Sequence, residues 1–264
     1  MKKIYYIIAT LMVSIACITT ACNDAIDPIT TAQPDGMLAF YNASQLFTNV
    51  TILLNTDDLN YKPDSVTGPE AVYMPQFQNE SGQLMSPGGG GALSAYPWAR
   101  YIRVFSGMQK VSFITANKQL AVKTGVDIEA NQRYTIYLTD SLGSYQTTTI
   151  SDNCELQKGN VQLNIVHLSP DAGKLAFRID GKWLTENKLL YRNNTGFIPF
   201  EAKSSNNLLN ILVANATDTT DLFASNVISA DADHCYTVLV KGYAKSHTSL
   251  LIKPQFQISI VKNK

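Results

Sequence analysis

The chain has 264 residues, of which 45% are hydrophobic and 16% charged. That is enough apolar material to bury one or two full cores, and too much for a disordered chain. Twenty-one Lys and Arg balance 21 Asp and Glu, and no long basic run gives a nucleic acid a footprint. Three His and four Cys are too few and too scattered for a zinc spacing, so neither a metal nor another cofactor is expected.

The chain opens Met1-Lys2-Lys3, continues with an apolar run from Ile4 to about Ile18, and then reads Thr19-Thr20-Ala21-Cys22. A basic start, a short apolar core and small residues before the cut describe a secretory signal over residues 1–21. The run is shorter than the ~20 apolar residues that a membrane span needs. Asn23, Asp24 and Asp27 follow it in place of a basic stop-transfer flank. Ala21-Cys22 resembles the bacterial lipobox, although Thr19 stands where that motif usually has Leu and Ala16-Cys17 offers a rival site. The resemblance implies cleavage before Cys22 and a diacylglycerol on its sulfur, hence a membrane anchor; the plainer alternative is an ordinary signal with an incidental Cys. Residues 22–35 are small and polar, with Pro28 and Pro34, and read as a tether lifting a folded body off the membrane. The place implied is the bacterial cell envelope, as an outer-membrane lipoprotein on either face.

Beyond the tether, short runs of alternating β-branched and aromatic residues dominate. Met37–Tyr41, Val50–Leu54, Tyr101–Phe105 and Tyr134–Leu138 are examples, separated by Asn, Asp, Gly, Ser and Pro clusters. This is the pattern of a sandwich or barrel. No long segment keeps a helical period; Ser204–Val213 comes nearest, but Asn206, Asn207 and Asn210 argue against it. The chain also repeats itself in order. Val50–Asn55 aligns with Leu175–Asp180, Tyr101–Phe105 with Phe197–Phe200, Val111–Asn117 with Leu209–Asn215, and Val126–Leu138 with Val227–Val240. The expected architecture is all-β: two tandem immunoglobulin-like antiparallel β-sandwich domains at 36–151 and 158–264, the first enlarged by an insertion over 57–97. In each copy a small polar turn precedes Tyr134 or Tyr236, as in a tyrosine corner, where the hydroxyl bonds back to the turn.

Val166-His167-Leu168-Ser169-Pro170-Asp171-Ala172, followed by Leu175–Gly181, resembles the opening of the family called domain of unknown function 4397 (DUF4397). Tyr41-Asn42-Ala43-Ser44 keeps the same turn in the first copy, but Gln45 and Leu46 stand where the second has Pro170 and Asp171. The resemblance implies an extracytoplasmic β-sandwich, often lipid-anchored, and no activity. Turn chemistry explains the motif. Pro170 fixes φ, Ser169 and Asp171 cap backbone groups, and Asp180-Gly181 is a hairpin signal.

Catalytic patterns are weak. His167 near Asp171 is the arrangement of a base and its orienting acid, yet no Gly-x-Ser-x-Gly elbow supplies a nucleophile. Gly88–Gly91 lacks the Lys-Ser/Thr of a phosphate loop and reads as a loop tip. That insertion gathers Tyr61, Tyr73, Phe77, Tyr96 and Trp98, a candidate ligand-binding loop or one packed by its own rings. Cys154 and Cys235 are an even pair in an oxidising compartment, which permits a disulfide. Asp64-Ser65-Val66, Asp140-Ser141-Leu142 and Asp218-Thr219-Thr220 resemble an O-glycosylation acceptor of some Gram-negative envelope systems. The leading expectation is a binding or structural module without enzymatic activity, its partners envelope proteins or glycans. The alternative is an envelope hydrolase acting on glycans or peptides with a site in the insertion. A fimbria-like assembly subunit is a third reading.

Overall fold

The computed structural model describes residues 35–44, 50–55, 99, 101–115, 117–184, 188–202, 208–248 and 256–263, and among these described residues it has fifteen strands and no α-helix. The first seven strands are β1 (Asp35–Asn42), β2 (Val50–Leu54), β3 (Ile102–Phe105), β4 (Gly107–Thr115), β5 (Leu120–Ile128), β6 (Arg133–Ser141) and β7 (Ser144–Ser151). The next eight are β8 (Asn160–Leu168), β9 (Leu175–Ile179), β10 (Lys182–Trp183), β11 (Asn194–Glu201), β12 (Leu208–Asn215), β13 (Leu222–Ser229), β14 (His234–Lys241) and β15 (Gln257–Lys262). The chain is all-β with sandwich packing. The signal, the tether and the insertion over 57–97 lie outside the described residues.

Four sheets form. In the first half the orders are β3-β1-β6-β7 and β2-β4-β5; in the second they are β11-β8-β14-β15 and β10-β9-β12-β13. The wiring is the same in both. β1 pairs antiparallel with β3 and parallel with β6, while β8 pairs antiparallel with β11 and parallel with β14. The aligned sequence blocks fall on matching strands: Val50–Leu54 on β2 against β9, Val111–Thr115 on β4 against β12. One feature departs from the expected antiparallel sheets. The parallel pairs β1–β6 and β8–β14 make both inner sheets mixed, because the first strand of each half lies beside its sixth or seventh rather than beside its hairpin neighbour.

Alternation decides which face goes where. Leu38, Ile136 and Leu138 point into a core closed by Ile52, Val111 and Phe113 of the opposite sheet. Leu163, Ile165, Val238 and Val240 do the same against Phe177, Ile211 and Val213. The other faces of the inner strands are also buried, against one another: Tyr41, Tyr137 and Ile150 pack with Val166, Leu168, Leu239 and Val261. β8 and β14 are therefore covered on both sides, and all but their first residues are buried. Residues from Asp35 onward form one compact unit. The layers run outer sheet, inner sheet, inner sheet, outer sheet.

Local chemistry closes the strands. Asp180 and Gly181 both take positive φ, 48° and 82°, giving the two-residue turn that joins β9 to β10. Leu142 and Gly143 do the same between β6 and β7 at 52° and 92°. Pro199 sits on β11, an edge strand of its sheet, where its missing N–H costs no ladder bond.

Both tyrosine corners are present. The Asp231 amide donates to the Tyr236 hydroxyl at 3.0 Å, and Tyr134 bonds the backbone of Glu129, five residues upstream in each case. The turns agree further: Asn131 and Asp233 are left-handed at 62° and 60°, and their amides donate to Asp35 and Asn160. Tyr236→Phe deletes one such acceptor without changing packing volume. It is expected to cost about 1 kcal/mol in denaturant unfolding, whereas a phenol that served only as filler would leave the midpoint unchanged.

Candidate functional site

The polar side chains buried in this protein are concentrated in the layer between the two inner sheets. Three clusters occupy it, one of them covalent.

At one end, Cys154, just after β7, is joined by a disulfide to Cys235 on β14 across 81 residues, with Cα atoms 6.5 Å apart. Cys235 is fully buried. The bond ties the segment between the halves to the inner sheet of the second.

Beside it lies a hydrogen-bonded group built from matching positions. Thr135 Oγ1 donates to Asp152 Oδ2, and Thr237 Oγ1 donates to Asn263 Oδ1 at 2.7 Å. Asp152 and Asn263 occupy the same place, directly after the last strand of each half. Tyr101 connects the two: its hydroxyl donates to Asp152 Oδ2 at 3.0 Å and accepts from Asn263 Nδ2 at 3.3 Å. Ala99 reinforces the link by donating its amide to the Lys262 carbonyl at 2.8 Å. Asp152 Oδ1 is buried with no hydrogen bond. Burial therefore dominates, lifting the carboxyl to about 6 against the pull of Thr135, Tyr101 and Arg133. The Tyr101 phenol, buried beside Asp152, is pushed up as well.

At the opposite end, Tyr243 reaches from the second half into the β6–β7 hairpin. Its hydroxyl donates to Asp140 Oδ1 and accepts from the Leu142 amide at 2.8 Å. Asp140 also accepts from Ser44 at 2.6 Å. Tyr191 donates to Thr139 at 2.9 Å, and Arg192 to Gln146 at 2.8 Å. The Lys241 ammonium lies 5.3 Å from the Tyr41 ring.

Next to this end stands the Ser169-Pro170-Asp171 turn. His167 is fully buried; Nε2 meets the Gly173 carbonyl at 2.8 Å and Nδ1 accepts from the Ser169 amide at 3.2 Å. Both ring nitrogens are thus engaged with backbone, and burial holds the imidazole down at about 4, neutral at ordinary pH. Asp171 does not orient His167. It accepts from the amides of Ala244 and Lys245 at 2.7 and 2.9 Å and lies 2.9 Å from His247 Nε2. Burial raises its carboxyl, but these three bonds outweigh burial and hold it below the usual range. The motif works as a clamp on the 244–247 loop, so the base-and-acid arrangement that its sequence suggests does not form.

Among the remaining sequence candidates, Cys22, Tyr61, Tyr73, Phe77, Tyr96 and Trp98 lie outside the described residues, as does Gly88–Gly91. Among the described residues no three His, Cys, Asp or Glu are grouped to hold a metal ion. Sequence reading did not find Tyr101, Asp152 or Asn263. The signal was the position of Asp152 and Asn263 at equivalent strand ends, each matched by a Thr on the strand beside it.

Asp152 predicts a pH dependence. Its folded pKa is raised, so its contribution is full below the unfolded value near 3.8 and is lost as pH rises through about 6. Asp152→Asn keeps an acceptor for Thr135 and Tyr101 and removes the charge. Relative to the parent, the variant is expected to gain up to ~3 kcal/mol on going from pH 4 to pH 8. Urea midpoints of both proteins at the two pH values measure this. The difference between proteins cancels the opposing titration of His167, which weakens folding as pH falls from 6.5 toward 4. A parallel shift of both proteins would assign the dependence to other groups.

No curated protein matches the chain. Residues 92–178 match the family model described as "Domain of unknown function (DUF4397)". The matched stretch runs across the junction of the halves, through β3 to β8 and into β9, and includes the His167–Asp171 turn. The match supports the family that the Val166–Gly181 motif resembles.

Proposed function

We propose that this protein is an extracytoplasmic binding or structural module of the bacterial cell envelope, moored to the outer membrane by lipid on Cys22. On this reading it comprises two tandem sandwich domains of one ancestry, at 36–151 and 158–264, and recognises an envelope protein or glycan through the aromatic insertion over 57–97. On the same reading it binds and does not catalyse.

The observation that carries the reading is the disulfide between Cys154 and Cys235. Stable disulfides belong to oxidising compartments and are rare in the reducing cytosol. This accords with the basic, apolar, small-residue leader that ends at Cys22. The rigid layered body supports a presenting role, since loops held on a fixed scaffold are where binding surfaces concentrate.

Metabolic labelling with a fatty acid tests the anchor. The parent protein is expected to carry label and to sediment with outer membrane, and Cys22→Ala to lose both while keeping the Cys154–Cys235 bond. Label that persists in the variant would sink the anchor. A pull-down from envelope extract with residues 33–264, with and without the insertion, tests recognition. Capture that is equal in both arms would place binding elsewhere. Replacing Cys154 and Cys235 by Ser and Ala is expected to cost about 2–4 kcal/mol of stability, read from urea midpoints.

A further inference from the structure

The turn between β12 and β13 presents a hydroxyl that the fold does not use. Residues 217–222 are all exposed. Three threonines stand there, and two are occupied. Thr217 Oγ1 donates to Asn215 Oδ1 at 2.6 Å, and Thr220 Oγ1 donates to Asp218 Oδ1 at 2.6 Å. Asp218 also accepts from the Thr220 amide at 3.0 Å, and its backbone carbonyl from the Asp221 amide at 3.0 Å. Asn215 takes the Thr217 amide at 2.9 Å, so the loop is held from both ends. Thr219 sits at the crest between these bonds, exposed, and its hydroxyl makes no hydrogen bond among the described residues.

The other acceptor-like tripeptides differ. In Asp140-Ser141-Leu142 the acid is buried against Tyr243 and Ser44, Ser141 is half-buried, and the Leu142 amide is bonded to Tyr243. The Ser141 hydroxyl is thus less open to a transferase than that of Thr219, which is exposed. Asp64-Ser65-Val66 lies outside the described residues. A transferase active site needs an accessible hydroxyl on a segment whose backbone can enter a cleft; solvent-exposed turns meet that need and buried strand ends do not.

We propose that Thr219 is an O-glycan acceptor, set by the fixed Asn215–Leu222 turn. The donor is a glycan carried on a polyprenyl diphosphate. Thr219 Oγ1 attacks the anomeric carbon, and a new C–O bond forms there. The bond from that carbon to the phosphate oxygen breaks, the hydroxyl proton passes to a base of the transferase, and polyprenyl diphosphate leaves with the electron pair. The turn joins β12 to β13 of the outer sheet of the second half, so a glycan here would stand at the end of that sheet. The proposal rests on export of the chain, and its test reads export separately.

The test uses full-length protein purified from the envelope of its own host. Peptides are mapped by electron-transfer fragmentation, which keeps glycans on their residues. The peptide holding residues 217–222 is expected to carry added mass assigned to Thr219. Thr219→Ala is expected to abolish that mass entirely, Thr219→Ser to retain it, and Ser141→Ala to leave it unchanged. As Thr219 is exposed and unbonded, both of its variants should fold, and equal urea midpoints for all three variants and the parent check this. The same map reports whether the leader is cut before Cys22 and whether Cys154 and Cys235 are linked. A cut leader with a bare Thr219 overturns this proposal alone. Added mass on Thr217, Thr220, Ser141 or Ser65 in place of Thr219 also overturns it. An uncut leader with free thiols overturns both this and the envelope reading.

Discussion

Burial of the inner sheets on both faces is the constraint from which the rest of this structure follows. A sandwich usually leaves the outside of each sheet to water, and one apolar residue in two is enough. Here β1, β6, β8 and β14 turn one face to their own core and the other to the opposite half. The two halves cannot part without exposing Tyr41, Tyr137, Leu239 and Val261 together. That explains why a chain with so clear an internal repeat forms a single compact unit from Asp35 onward.

The layer between the inner sheets is not uniformly apolar, and its polar groups give it direction. Apolar side chains alone would let two similar sheets slide or rotate, since their packing is non-directional. Tyr101 and Tyr243 fix the register from opposite ends, Tyr101 by accepting from Asn263 of the second half and Tyr243 by reaching the buried Asp140 carboxylate of the first. Such arrangements are strained electrostatically. Asp152 keeps one oxygen unbonded, and Gln162 and Asn164 each bury an amide nitrogen without a partner. Burying an unsatisfied polar atom costs about 1–3 kcal/mol, so the layer trades stability for a defined docking geometry.

Much of the strand order was legible in the residues. Alternation located Met37–Tyr41, Val50–Leu54 and Tyr134–Leu138, all of which fall on strands, and Leu208–Val213, the described part of the segment in which Asn210 weighed against a helix, is strand. Asp180-Gly181 announced its turn because few residues but these tolerate positive φ in succession. The double-sided burial was harder to see. On β8 the face that meets the other half carries Gln162 and Asn164 before Val166 and Leu168, an alternation like that of a half-solvated strand although both faces are buried. His167 and Asp171 were singled out for the right reason, proximity in a turn. Asp171 takes other partners than His167, namely Ala244, Lys245 and His247, more than 70 residues away. No local pattern encodes a contact of that separation.

The covalent link between Cys154 and Cys235 encloses most of the second half, including every strand from β8 to β13. A protease that nicks any loop inside that span leaves two pieces still chained together. Neither fragment can diffuse away, and the cut ends stay near their native neighbours. For a protein exposed to secreted proteases, damage to a surface turn would then be a tolerable wound: the body would persist, detectable as fragmented only after reduction.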